Sequence, residues 1–304
     1  MNYKKMTNDM LLWYDSNNRD MPWRGEKNPY KIWISEIMLQ QTQVTTVRDY
    51  YLRWIKQFPN IEDVAKASID QVLKLWEGLG YYSRARNFHE SCKTLKENNY
   101  MIPKGVKEFQ LLKGVGPYIA SAVQSIAFNI PVSVIDGNIN RVASRFFAYS
   151  TAPTKNQKKI SEFMDHLLDK NRPGDFNQAM MDLGRYICKP SNPLCEECPL
   201  HKDCKAFSMG QQNHFPIKQK RKKKPHYDVA VGIIWDDKKL LITKRKEGGL
   251  LGGLWEFPGG KLEEGEEVEN CLRRELFEEI GVIAKRYSFF DSYNFNNCWR
   301  LYSI

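Results

Sequence analysis

The chain has 304 residues, 42% of them hydrophobic, which is enough for about two domains of roughly 150 residues each with sizeable cores. A formal net charge of +10 and a pI near 9.1 point to a polyanionic partner, either nucleic acid or a membrane surface. No apolar run approaches the roughly 20 residues of a membrane span, and the start MNYKKMTNDM lacks the apolar centre of a signal peptide, so the chain reads as cytoplasmic with no membrane partner.

In chain order, residues 1 to about 215 show helical periodicity and no convincing strand-turn-strand pattern. In the first strongly apolar stretch, Glu36 interrupts Trp33, Ile34, Ile37 and Met38. Either it lies on a solvated helix face, or it faces a pocket where desolvation raises its pKa. The next informative stretch is LKGVGPYIASAV, in which Gly114 and Gly116 permit a tight turn between helices. A helix start without side chains lets backbone N–H groups approach a phosphate. Ile119, Ala122, Val123, Ile126 and Ala127 give one face of a helix after that turn. Ile139, Val142, Ala143, Phe146 and Phe147 give a second. Asp136 stands three residues before Ile139, where a carboxylate serves as an N-cap.

Seven cysteines in a reducing compartment do not suggest a disulfide framework. Four of them, Cys188, Cys195, Cys198 and Cys204, crowd into ICKPSNPLCEECPLHKDC with spacers of 6, 2 and 5 residues. Thiolates gathered so closely need a cation, and the residues alone leave zinc and an iron-sulfur cluster both open. PIKQKRKKKP follows, with six positive charges between two prolines, an exposed linker that is either a solvated tether or a strap on phosphates. Beyond it, YDVAVGIIW and KLLITKR flank the polar turn from Asp236 to Lys239 and predict a β-hairpin opening an α/β region. GGKLEEGEEVENCLRRELFEEIGV then runs from a glycine loop into a helix carrying Glu275, Glu278 and Glu279, whose mutual repulsion a divalent cation would relieve.

Together, LKGVGPYIASAV, VIDGNINR 18 to 20 residues beyond it, and the 6, 2, 5 cysteine spacing resemble the helix-hairpin-helix, Gly/Pro, Asp superfamily of base-excision DNA glycosylases, in its endonuclease III branch. PWRGEKNPYKIWISEIMLQQTQV and LWEGLGYYSRARN narrow the resemblance, which covers nearly all of residues 8 to 207, to the adenine DNA glycosylases. That resemblance implies a mainly α, two-lobed fold. A six-helix barrel spans about 28–134, and a lobe from 1–27 plus 135–207 holds a 4Fe–4S cluster on the four cysteines. It implies a basic linker at 216–225 and a small α/β Nudix-like domain at 226–304. It also implies a monomer acting on double-stranded DNA with adenine opposite 8-oxoguanine or guanine.

Residue by residue, the resemblance makes Glu36 the acid that protonates the extruded adenine and Asp136 the anion that stabilises the oxocarbenium-like sugar. Gln41 and Tyr81 become wedges in the duplex, and Arg24, Tyr118 and Asn138 line or support the adenine site. Without the family, Tyr81 reads as packing near a turn and LQQTQ as a helix end. Tyr118 stands where strand-cleaving relatives carry a Schiff-base lysine, which implies base excision alone. The C-terminal stretch is similar to the Nudix box of nucleoside diphosphate hydrolases, with Mg possible on Glu275, Glu278 and Glu279. Its relatives among adenine glycosylases use a degraded box to recognise 8-oxoguanine. Here the box is intact, yet the 79 residues from His226 read as a truncated domain, and YNFNNCW replaces a Phe-Ser-His element. Three alternatives remain beside the adenine glycosylase. They are an endonuclease III-like glycosylase for thymine or oxidised pyrimidines, a hydrolase of oxidised dGTP, and a lesion-binding protein with no activity.

Overall fold

The computed structural model describes residues 1–17, 20–218, 226–246, 252–286, 288–295 and 299–303, and these divide into two compact units, Met1–Gln219 and Lys220–Ile304. The first unit holds twelve α-helices among its described residues: α1 (Tyr3–Ser16), α2 (Pro29–Leu39), α3 (Val44–Gln57), α4 (Ile61–Lys66), α5 (Ile69–Trp76), α6 (Ser83–Thr94), α7 (Val106–Phe109), α8 (Pro117–Phe128), α9 (Gly137–Phe147), α10 (Gln157–Leu167), α11 (Pro173–Asp182) and α12 (Lys205–Ser208). None of the described helices is long and apolar enough to cross a membrane.

The helices of this unit pack in two groups. In one, α2 lies against α3 and α8, α6 against α4 and α5, and α7 against α8. In the other, α1 from the N-terminus packs on α10 and α11, and α9 packs on α10, α11 and α12. The buried Thr7 hydroxyl donates to the Leu167 carbonyl at 2.7 Å, tying the chain's start to the end of α10. The α11–α8 contact joins the groups.

The two periodic patterns land as helices. α8 buries Ile119, Ala122, Val123 and Ile126, and α9 buries Ile139, Val142, Ala143 and Phe146. α8 is buried on every side from Ile119 to Ile126, and so is α2, in which every residue from Ile32 to Met38 is buried. Pro29 in its first turn and the Asn28 side chain, which accepts from the Tyr30 N–H at 3.0 Å, start the helix. Trp33, fully buried, meets Phe88 and Phe109 edge to face at 4.5 and 5.1 Å. Truncating such a ring costs on the order of 3–5 kcal/mol, so α2 is fixed by its packing.

The second unit is smaller and mixed. Its main sheet has the order β6 (Gly259–Lys261), β1 (Tyr227–Val231), β8 (Trp299–Ser303), β7 (Asp291–Phe295), with α13 (Val268–Ile280) packed on β1 and β6. Here the expected hairpin needs correction. Only its tip pairs, as β2 (Trp235–Asp236) with β3 (Lys239–Leu240). β1 instead pairs antiparallel with β6 and parallel with β8, and β4 (Thr243–Lys244) pairs with β5 (Trp255–Glu256). The fully buried core among its described residues is Ala230, Cys271, Leu272 and Leu276. Most of the predicted basic linker, from 219 to 225, lies outside the described residues, as does Cys298.

Candidate active site

Burial of α2 decides between the two environments open to Glu36. It is 5% exposed, in the helix core and away from any solvated face. A carboxylate there would lose its hydration, so burial raises its pKa. The Tyr118 hydroxyl, donating to Glu36 Oε2 at 2.5 Å, and the Arg185 and Arg24 guanidiniums partly counter that rise, while Asp136 adds to it. Burial, with the Glu36 carboxyl beside it, pushes the Tyr118 phenol up in turn, so it remains a donor.

Tyr118 reaches this point because the glycine turn launches α8. Gly114 has φ +79°, a conformation other residues adopt with strain, and a Cβ there would meet the Asn87 Cβ at 2.7 Å. Gly116 is the N-cap and Pro117 the first helical residue.

Asp136 is indeed the N-cap of α9. Its Oδ1 accepts from the Ile139 N–H at 2.7 Å and its Oδ2 from Asn138 Nδ2 at 2.7 Å. Asn138 in turn accepts from Arg141 at 2.9 Å, and Arg141 also donates to the Gly184 and Cys188 carbonyls at 2.7 and 2.8 Å. Gly184 belongs to a π-helical turn, Leu183–Ile187, and a Cβ on it would sit 2.5 Å from the Asn138 Cβ. Only glycine permits that approach. A continuous hydrogen-bonded path therefore runs from the cysteine loop to the Asp136 carboxylate, through Arg141, which the sequence analysis did not single out. Arginines at 141 and 145, on a helix otherwise apolar along its buried face, were the available signal.

A pocket of about 600 Å³ lies within the first unit, bounded by Gln41, Tyr81, Tyr118, Asp136, Asn138 and Arg185, among others. It brings together five of the predicted residues. Glu36 does not line it directly and meets it through Tyr118. Arg24 does not line it either, which leaves the supporting one of its two expected placements. Its guanidinium is buried and committed to Asp182 at 2.6 Å, Gln178 at 2.5 Å and Tyr14 at 2.8 Å, so it reaches the site only by its charge.

The four cysteines of the loop are free of disulfides and line one cavity whose other walls include Val142, Phe146, Ile187 and Leu200. Arg145, 2% exposed, donates to Cys188 Sγ at 3.3 Å and to the Lys189 and Pro190 carbonyls at 2.6 and 3.0 Å. Burial, with the neighbouring thiols of Cys188, Cys204 and Cys195 adding, pushes the Cys198 thiol up to about 12. Four such thiols ionise together only around a positively charged group. The donor set and its apolar cradle fit one.

In the second unit the glutamates of the glycine-led helix have partners within the protein. Arg274 lies among them, 2.8 Å from Glu275 and 3.5 Å from Glu278, while also holding Glu266 at 2.9 Å. That guanidinium holds the Glu266 carboxyl down at about 2. Glu279 accepts instead from the Gly259 N–H at 3.1 Å. Arg274 thus compensates part of the charge of these carboxylates, three of which are the residues on which Mg is expected.

Family models match three stretches: the HhH-GPD superfamily base excision DNA repair protein over residues 34–167, the iron-sulfur binding domain of endonuclease III over 188–204, and the NUDIX domain over 225–302. The cofactor of the cysteine loop is thus a 4Fe–4S cluster. Among solved structures, a thermostable thymine-DNA glycosylase aligns with a TM-score of 0.62 and 29% identity, covering 68% of this chain and 98% of that one. An adenine DNA glycosylase of Arabidopsis thaliana is 37% identical over 89% of this chain. The chain spans only about half of that relative, 49% of its length. The adenine DNA glycosylase of Buchnera aphidicola subsp. Baizongia pistaciae is 39% identical, and there the alignment covers 82% of this chain and 72% of the relative. With that identity across most of a relative, and a helical fold of the same superfamily beneath it, the chain belongs to the adenine DNA glycosylase family.

Proposed function

We propose that this chain excises adenine from double-stranded DNA by hydrolysing its N-glycosidic bond, with adenine opposite 8-oxoguanine or guanine as the substrate. The observation that carries this reading is the pairing of a buried carboxyl, Glu36, with the Tyr118 hydroxyl behind a pocket that also exposes the capped carboxylate Asp136. Adenine leaves only when a ring nitrogen is protonated, and bond cleavage places positive charge on the sugar. One proton donor and one anion meet those needs. Protonated Glu36 can reverse its hydrogen bond and donate to the Tyr118 oxygen, passing a proton toward the base. Asp136 faces the sugar as C1′ gains charge. Water then adds to C1′ and loses a proton, leaving free adenine and an abasic site.

Cys188, Cys195, Cys198 and Cys204 would hold the 4Fe–4S cluster, whose iron supplies the charge that compensates their thiolates. Arg141 and Asn138 relay the position of that loop to Asp136. The protein works as a monomer on DNA in the cytoplasm, its net charge of +10 favouring the phosphate backbone. Residues 226–304 serve recognition of the base opposite adenine.

End-labelled duplexes carrying each mispair, treated with alkali after incubation, test the reading. Cleavage at adenine opposite 8-oxoguanine or guanine is expected, and cleavage only at thymine or oxidised pyrimidines would replace it with the alternative specificity. Tyr118 supplies no amine, so sodium borohydride should trap no protein-DNA adduct. An efficient adduct would show a strand-cleaving enzyme instead.

The alternative reading makes the second unit a hydrolase; on the reading proposed here its carboxylates, paired with Arg274, serve no hydrolysis. Incubated with oxidised dGTP and Mg, the chain should release no pyrophosphate. Release that disappears in Glu278→Gln would establish the hydrolase.

A further inference from the structure

Gln41 and Tyr81 are separated by 40 positions in the chain, yet both line the same pocket, and both have backbones in the left-handed region, with φ +58° and +48°. For residues other than glycine such a conformation costs roughly 1–3 kcal/mol and persists only where the surroundings impose it. One side chain touches both turns. Arg84, in the first turn of α6, donates through Nη1 to the carbonyls of Ile37 at 2.8 Å, Met38 at 3.3 Å and Gln40 at 2.5 Å. Through Nη2 it donates to the carbonyls of Leu79 and Gly80, each at 3.2 Å, and reaches the Thr42 hydroxyl at 3.5 Å. The guanidinium also lies over the rings of Trp76 and Tyr81, at 5.3 and 5.5 Å. The backbone N–H of Arg84 donates to the Tyr81 carbonyl at 2.9 Å, completing that turn.

These contacts sort by side. Ile37, Met38, Gln40 and Thr42 belong to the segment that ends α2 and presents Gln41. Leu79, Gly80 and Tyr81 belong to the turn that presents Tyr81, whose ring is 60% exposed. A planar fork bonded to carbonyls on both sides fixes the separation of the two turns, which a flexible ammonium cannot do. We propose that Arg84 is a positioning residue that holds Gln41 and Tyr81 as one rigid two-pronged wedge for extruding the adenine nucleotide. The proposal rests on the glycosylase reading above. Arg84 acts through those two residues; its Nη1 and Nη2 donors are engaged with protein carbonyls, while its Nε is buried without a hydrogen-bond partner.

The test is a double-mutant cycle read by two signals. 2-Aminopurine opposite guanine brightens when the base leaves the stack, and single-turnover adenine release from A:G duplex reports the whole reaction. A displacement of about 1 Å can cost about 100-fold in rate, so Arg84→Lys and Arg84→Gln should each lower extrusion and release by roughly that factor. In a Gln41→Ala, Tyr81→Ala background, Arg84→Lys should change neither signal further. A merely structural arginine would lower activity equally in both backgrounds, and that result overturns the proposal. So does wild-type extrusion in Arg84→Lys. A fall of about one in the salt dependence of duplex binding on Arg84→Gln would make it a phosphate contact, which also overturns it. Absorbance of the iron-sulfur cluster and thermal melting identify variants that fail to fold, and for those Arg84→Lys is the deciding variant. Failure of the wild-type chain itself to extrude or release adenine would instead remove the glycosylase reading.

Discussion

Glu36→Gln is expected to reduce single-turnover adenine release about 1000-fold while leaving affinity for an A:G duplex within a few-fold of wild type. A positioned general acid contributes on the order of 100- to 10,000-fold, and glutamine keeps the size of the side chain and an oxygen for Tyr118 but has no acidic proton. The pH profile follows from the direction in which burial moves Glu36. Its pKa is raised by desolvation, against the opposing influence of the Tyr118 hydroxyl, Arg185 and Arg24, and with reinforcement from Asp136. The protonated form is the active one, so the wild-type rate should fall as pH rises through that raised value. Tyr118→Phe removes the hydroxyl that passes the proton and a hydrogen bond that favours the anion, so it should lower the rate at every pH and carry the fall of the remaining activity to still higher pH. Stability obeys the same sign. A carboxyl whose folded pKa lies above its unfolded one contributes stability below the ordinary value of about 4.5, and that contribution is lost as pH rises through the folded value. Melting of wild type against Glu36→Gln should therefore diverge with rising pH, to the disadvantage of wild type. Turnover of Glu36→Gln within tenfold of wild type would remove Glu36 from the chemistry.

How much of this was legible in the sequence depends on how local each signal is. The cysteine spacing, the Gly114 and Gly116 turn and the buried face of α9 are set by residues near one another in the chain, and all are found where the pattern puts them. Asp136 is the cap its spacing predicts, and a cap is also a place where a carboxylate is held still. Glu36 was ambiguous for the opposite reason: a helix apolar on every side gives periodicity no face to choose. The arginines were the hardest. Arg24 finds Asp182 across 158 positions, and Arg84 and Arg145 bond chiefly to backbone carbonyls, which any sequence supplies. Pairing in the second unit was misjudged likewise, since β1 takes partners from distant strands while only the hairpin tip is local.

Asp136→Asn should reduce adenine release about 100- to 1000-fold, the range seen when one preorganised electrostatic partner of a transition state is removed, and should do so with only a small loss of stability. The cap survives, because an asparagine oxygen can still accept from the Ile139 N–H, and asparagine caps helices about as well as aspartate. What changes is the second oxygen. Asn138 presents its Nδ2 donor there while its own oxygen is held by Arg141, so an amide at 136 would set donor against donor and lose one bond, about 1 kcal/mol. Asp136→Ala would lose the cap as well, at about 1 kcal/mol more. Asn138→Ala separates charge from placement: it cuts the same 2.7 Å bond but leaves the carboxylate, and should cost about tenfold in rate. If the anion is what matters, the order of severity in rate is Asp136→Asn close to Asp136→Ala, with Asn138→Ala well behind, whereas melting temperatures set Asp136→Ala apart from both. Rates that follow the melting temperatures would show that Asp136 serves the helix and not the sugar.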